Sequence, residues 1–137
     1  MIYIAINAGA ILMATLAGMA FGAAYYRVAD RNRAIGLTRN GAKLATSILL
    51  IFVAEFWFAS ILAGALILAP PEAGRWTMAL GSAVVIWIGF VVPALIVTHR
   101  LRGMPTREAV TDCGHWLGAM IVQVVVLQSM GLQPPPG

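Results

Sequence analysis

Charge is what this chain has least of. Asp, Glu, Lys and Arg together make up 10% of its 137 residues, where an ordinary globular domain has about 25%. Hydrophobic residues make up 61%, so a water-facing surface cannot be assembled and a soluble globular domain is excluded. A single cysteine, Cys113, rules out an internal disulfide and any cysteine-rich metal site. The two histidines, His99 and His115, flank a loop and form no H-x-x-x-H doublet, so no metal site is expected. Glycine-rich phosphate loops are missing too. Cys113 and His115 stand two residues apart and would point to different helix faces, which is no geometry for a thiol and its base. No cofactor and no catalytic residue are therefore expected. The net charge of +4 does not indicate nucleic acid, because the basic residues sit in short loops rather than on a helix face interleaved with aromatics.

What the chain does have is four long apolar runs, at about 1–26, 44–69, 77–98 and 109–130. Each approaches or exceeds the roughly 20 residues that a spanning helix needs. The first is read as a permanent span rather than a signal peptide, since no Lys or Arg precedes Arg27. Pro70-Pro71 stops the second run, and the short connection to Trp76 makes spans two and three antiparallel neighbours. In the third, Pro93 removes the amide that would bond the Gly89 carbonyl, so a kink is expected there. Thr106 is expected to cap the fourth helix, with Glu108 in its first turn. The fold expected is all-α: one domain over 1–137, a bundle of four transmembrane helices running up-down-up-down in a lipid bilayer.

Loop 27–43 carries five Lys/Arg and is expected to be solvated and broken by Gly36 and Gly41, and loop 99–108 carries three. The opposite side has Arg75 alone. By the positive-inside rule both basic loops are cytoplasmic and both termini face outward, in a multi-pass protein of a bacterial inner membrane.

Counting along helices at about 1.5 Å per residue turns sequence into depth. Asp112, His115, Pro93 and Gly22 fall roughly 5–9 Å from the cytoplasmic end, with Tyr25 and Tyr26 at the boundary. Gly18, Gly118 and the Gly89 carbonyl lie about a turn deeper, and Glu55 comes near the midplane at roughly 16 Å. Asp112 and His115, at i and i+3, share a helix face. They read either as a polar clamp joining span four to Tyr25 and Tyr26 or to the Pro93 kink, or as a proton or ligand site. Glu55 reads either as a neutral, hydrogen-bonded carboxyl or as a transport carboxylate. Gly18 and Gly22, with Gly89, Gly114 and Gly118, are small positions that let helices approach closely.

Gly22-x-x-Tyr25-Tyr26 closing the first span, Trp87-Ile-Gly89-Phe90-Val-x-Pro93 in the third and Asp112-x-Gly114-His115-Trp116-Leu117 opening the fourth occur in an order that resembles the domain-of-unknown-function family numbered 1761. The likeness runs from Asn7 to about Gly131, with Tyr25 where that family usually has Trp. It implies a small four-span membrane protein and implies no activity. Two functions are carried forward. The first is a non-catalytic membrane component that self-associates or joins other membrane subunits through its small-residue faces. The alternative is a small proton-linked transporter or channel using Glu55.

Overall fold

A computed structural model describes residues 2–29, 41–70, 72 and 74–136, with the backbone alone at 41–43. The part of the basic segment at 30–40, including Gly36, lies outside the described residues. Among the described residues every regular element is helical. This is the expected outcome for a chain in lipid, where each backbone amide and carbonyl must find its partner within its own helix.

Four helical segments are long and apolar enough to cross a membrane: Ala8–Ala29, Leu44–Leu68, Arg75–Leu101 and Thr106–Met130. The short helix Ile2–Ile6 runs into the first of them, because Asn7 N–H bonds the Tyr3 carbonyl and Ile11 N–H bonds the Asn7 carbonyl. The first span packs most extensively on the fourth and next on the second, and the third packs on the fourth and the second. The four helices form the expected bundle. Its centre is made largely of small side chains, including Ala14, Ala59, Ala63 and Ala83, with Ile11, Leu62, Met120 and Leu127 filling between them. Large apolar residues such as Leu16, Val53, Val85, Phe90 and Val97 face outward. That distribution suits a protein whose solvent is hydrocarbon.

Three local features differ from the sequence expectations. Among the described residues the second helix runs from Gly41 to Leu68, so 41–43, expected to be loop, are helical. The third span extends to Leu101, which takes His99 and Arg100 out of the loop and into the helix. It ends in a Schellman motif: Met104 N–H bonds the His99 carbonyl at 2.9 Å, Gly103 N–H bonds the Arg100 carbonyl at 3.1 Å, and Gly103 takes φ 65. The fourth helix starts at Thr106 with Pro105 in the capping position. Thr106 is therefore the first helical residue rather than the cap, and its hydroxyl accepts a bond from Arg100 Nη2 at 3.0 Å.

The expected disturbance at Pro93 takes the form of a π-helical turn, Trp87–Val91, in which Val92 N–H bonds the Trp87 carbonyl five residues back. Widening the turn is one way for a helix to absorb a proline without breaking. Gly89 and Pro93 lie on the outer surface, and nothing stands within 4 Å of where a Gly89 β-carbon would be. Gly89 therefore receives no side chain within the bundle, where a close helix contact was expected.

At the end opposite the basic loops, Asn7 holds the C-terminal tail. Its amide donates to the Gln133 carbonyl at 2.9 Å, and its side-chain oxygen accepts from Gln133 N–H at 2.8 Å. This reproduces the pairing of two backbone strands and leaves Asn7 buried.

Candidate functional site

Besides Asn7, two clusters of polar side chains lie along the seam between the first and fourth spans. The basic end holds the first. Asp112, one and a half turns into the fourth helix, accepts a hydrogen bond from Tyr26 Oη at 2.8 Å and faces His99 Nε2 at 2.9 Å. His99 Nδ1 lies 2.8 Å from the Leu95 carbonyl one turn earlier in its own helix. A carbonyl can only accept, so Nδ1 carries a proton. The short approach of Nε2 to Oδ2 then requires a second proton, on the ring or on the carboxyl. The contact of His99 with Asp112 ties the third span to the fourth, while Tyr26 ties in the first. Tyr25 Oη donates to the Thr111 carbonyl at 3.0 Å, a second tie between the first and fourth spans.

Asp112 and His115 share a face as expected, but they do not act as a pair. The partners of Asp112 include His99 and Tyr26. His115 turns inward and packs among rings, with the centroid of Tyr26 at 4.7 Å, Trp116 at 5.4 Å, Tyr25 at 5.7 Å and Phe21 at 6.3 Å. His115 is buried, and its Nδ1 has no hydrogen-bond partner among the described residues.

The glycines explain how so many rings fit on one seam. A β-carbon on Gly22 would stand 2.7 Å from His115 Nε2, and one on Gly114 would stand 2.8 Å from Tyr25 Oη. One on Gly118 would fall within the Phe21 ring. Small positions on each helix receive large side chains from the other, so the two helices interlock through Gly22 and His115 in one direction and through Gly114, Gly118, Tyr25 and Phe21 in the other. Trp87 adds the third span to this layer by donating its indole N–H to the Cys113 carbonyl at 2.8 Å.

Deeper in the bundle lies the second place. Glu55 is buried and accepts a 2.5 Å hydrogen bond from Gln123 Nε2. A β-carbon on Gly18 would stand 2.8 Å from Gln123 Nε2 and 2.9 Å from Glu55 Oε2. The carboxyl and the amide therefore meet in the space that Gly18 leaves open, joining the second and fourth spans against the first. Gln123 Oε1 is buried and has no partner among the described residues. Asp112 and His115 do not reach Glu55, as the depth count requires.

Tyr25-Tyr26 at the end of the first span, Trp87 of the π turn midway along the third, and Asp112 through Trp116 near the start of the fourth thus meet in one contiguous layer. The family model described as a protein of unknown function (DUF1761) matches residues 9–128. The chain belongs to DUF1761. That match takes in both polar places of this DUF1761 chain, from Gly18 through Gln123. No curated protein and no solved structure matches the chain.

Two members of the site escaped the sequence reading. Hydropathy puts His99 in the loop 99–108, and Gln123 carries no motif that marks it. The signal for His99 was Gly103 followed by Pro105, the pattern of a helix that runs to the residues just before the glycine. No group of three or more His, Cys, Asp or Glu able to hold a metal occurs among the described residues.

Proposed function

We propose that this DUF1761 protein is a multi-pass membrane protein that couples protonation of Glu55 to a change in helix contacts, as a small proton-linked transporter or channel does. The observation that carries this reading is the half-satisfied pair of Glu55 and Gln123. With a carboxylate, Gln123 donates through Nε2 and its Oε1 is left unbonded. With a carboxylic acid, a half-turn of the amide lets the acid O–H donate to Oε1. One cavity therefore accommodates two hydrogen-bonded arrangements that differ by a proton, a two-state element of the kind that switching requires. In either arrangement one end of the amide stays unbonded, a cost of about 1–3 kcal/mol that a purely structural pair has no need to carry. An ionisable residue at this depth is also, by its cost, a site to explain by function.

The orientation that fits this reading places the basic end in the cytoplasm and both termini outside, supported by the eight Lys/Arg of loops 27–43 and 99–108 against Arg75. In a bacterial inner membrane, Asp112, His99 and Tyr26 then lie at the cytoplasmic mouth and Glu55 at mid-depth. No bond-making step is assigned to any residue. The experiment is proton flux into liposomes containing the purified protein: flux is expected with the wild type and lost in Glu55→Gln. Flux absent from the wild type, or undiminished by the substitution, overturns the proposal.

Association with a second copy or another membrane subunit is the other reading. The faces first considered for it, Gly18, Gly22, Gly114 and Gly118, are filled within the bundle by side chains. Support now comes from the third span, where 6% of the apolar window is buried against 28%, 28% and 33% in the others. Cross-linking between cysteines placed at Gly81 or Gly89 in native membranes is the corresponding test, and the absence of any cross-linked product removes it.

A further inference from the structure

A groove of about 490 Å³ runs between the third and fourth spans. Its inner end is closed by Trp87, whose indole N–H bonds the Cys113 carbonyl across the two helices. Its walls are apolar, with Ile96 and Leu117 among them, and the rim residues Ile96 and Val110 are 46% and 66% exposed, so the groove opens sideways toward lipid. At the basic end it meets Arg100, the one Arg or Lys among its lining residues. Arg100 donates through Nη2 to Thr106 Oγ1, which fixes the guanidinium at the mouth with its remaining donors available. The His99 ring at the same end is turned to Asp112 and the Leu95 carbonyl.

We propose that this groove binds one anionic phospholipid, with an acyl chain along the apolar wall and the phosphate on Arg100. The polarity of the groove matches that of a lipid in the leaflet at the basic end: cation at the level where the spans finish, hydrocarbon further in. A second helix is the wrong occupant. A helix is about 10–12 Å across with its side chains and rises about 5.4 Å per turn, so the cavity holds no more than about one turn of it. A free inorganic anion makes no use of the apolar wall. Arginine suits the phosphate because its planar fork can offer two parallel N–H groups to two oxygens.

The test uses the full-length protein, stripped of lipid in mild detergent and titrated with phosphatidylglycerol or phosphatidylcholine of identical chains while retained lipid is counted by native mass spectrometry. One phosphatidylglycerol is expected to remain, favoured about tenfold over phosphatidylcholine, the size of one charge-assisted interaction. Arg100→Gln is expected to bring the two lipids level, and Val110→Trp, which fills the open side, to weaken both. Both positions are exposed, so the fold survives the changes. A second readout is the rate at which a neutral maleimide alkylates Cys113, which lines the groove. Phosphatidylglycerol slows it several-fold in the wild type and not in Arg100→Gln. Equal retention of the two lipids with no effect of Arg100→Gln overturns the proposal. So does equal protection of Cys113 by inorganic phosphate or by an uncharged diacylglycerol alone, which would make the groove an anion site or a general hydrocarbon slot.

Discussion

His115 occupies the space that a side chain on Gly22 would need: its Nε2 stands 2.7 Å from the position of a Gly22 β-carbon. The imidazole is a large polar ring whose Nδ1 has no hydrogen-bond partner among the described residues, and it fits there only because the first span offers a notch.

Gly22→Ala is therefore expected to destabilise the bundle by about 1–3 kcal/mol, the usual cost of overpacking. The cost should shrink when His115 is simultaneously cut back to Ala, because the clash then disappears. A double-mutant cycle on unfolding in detergent measures this. Additive costs would mean that the two residues are not competing for one space.

The same reasoning separates the other glycines. Gly118→Ala drives a methyl into the Phe21 ring and should cost about 1–3 kcal/mol. Gly89→Ala meets nothing within 4 Å and should be neutral, or stabilising by up to about 1 kcal/mol through helix propensity. Unfolding midpoints of the two variants, side by side, check the assignment.

Asp112 gathers the ends of three spans through Tyr26 and His99. Asp112→Ala leaves those two groups without this acceptor and is expected to cost about 3 kcal/mol. The coupling of Asp112→Asn with Tyr26→Phe should fall near 0.5–1.5 kcal/mol, because polar contacts between membrane helices are worth about that much in double-mutant cycles.

The four spans could be read from hydropathy because lipid imposes one rule on every residue of a span, and that rule is visible in composition. Tyr25 and Tyr26 were recognised as partners for the start of span four because aromatic residues mark the boundary and so share its level. The pairings across the bundle could not be read. Whether Glu55 meets Gln123 or something else depends on how each helix is rotated about its axis, and helices apolar all round give no sign of that rotation. His99 was hidden for a different reason: hydropathy falls at Thr98, but the helix continues until the Schellman turn at Gly103. The π turn was visible only as Pro93, the residue that makes it useful.

Orientation gives a further prediction. A reporter active only in the cytoplasm should be silent when fused after Gly137 and active when inserted in the connection at 102–105. The reverse pattern would invert the bundle and place Asp112 and His99 at the outer mouth.

The central claim is that Glu55 exchanges a proton and that Gln123 follows it. Infrared difference spectroscopy of the protein in lipid, stepped from alkaline to acidic buffer, observes this directly through the carbonyl band of a protonated carboxyl. The account predicts such a band in the wild type, absent in Glu55→Gln, together with a change in a glutamine side-chain amide band that is lost in Gln123→Leu. A spectrum with no carboxyl band attributable to Glu55 at any pH at which the protein stays folded would contradict it.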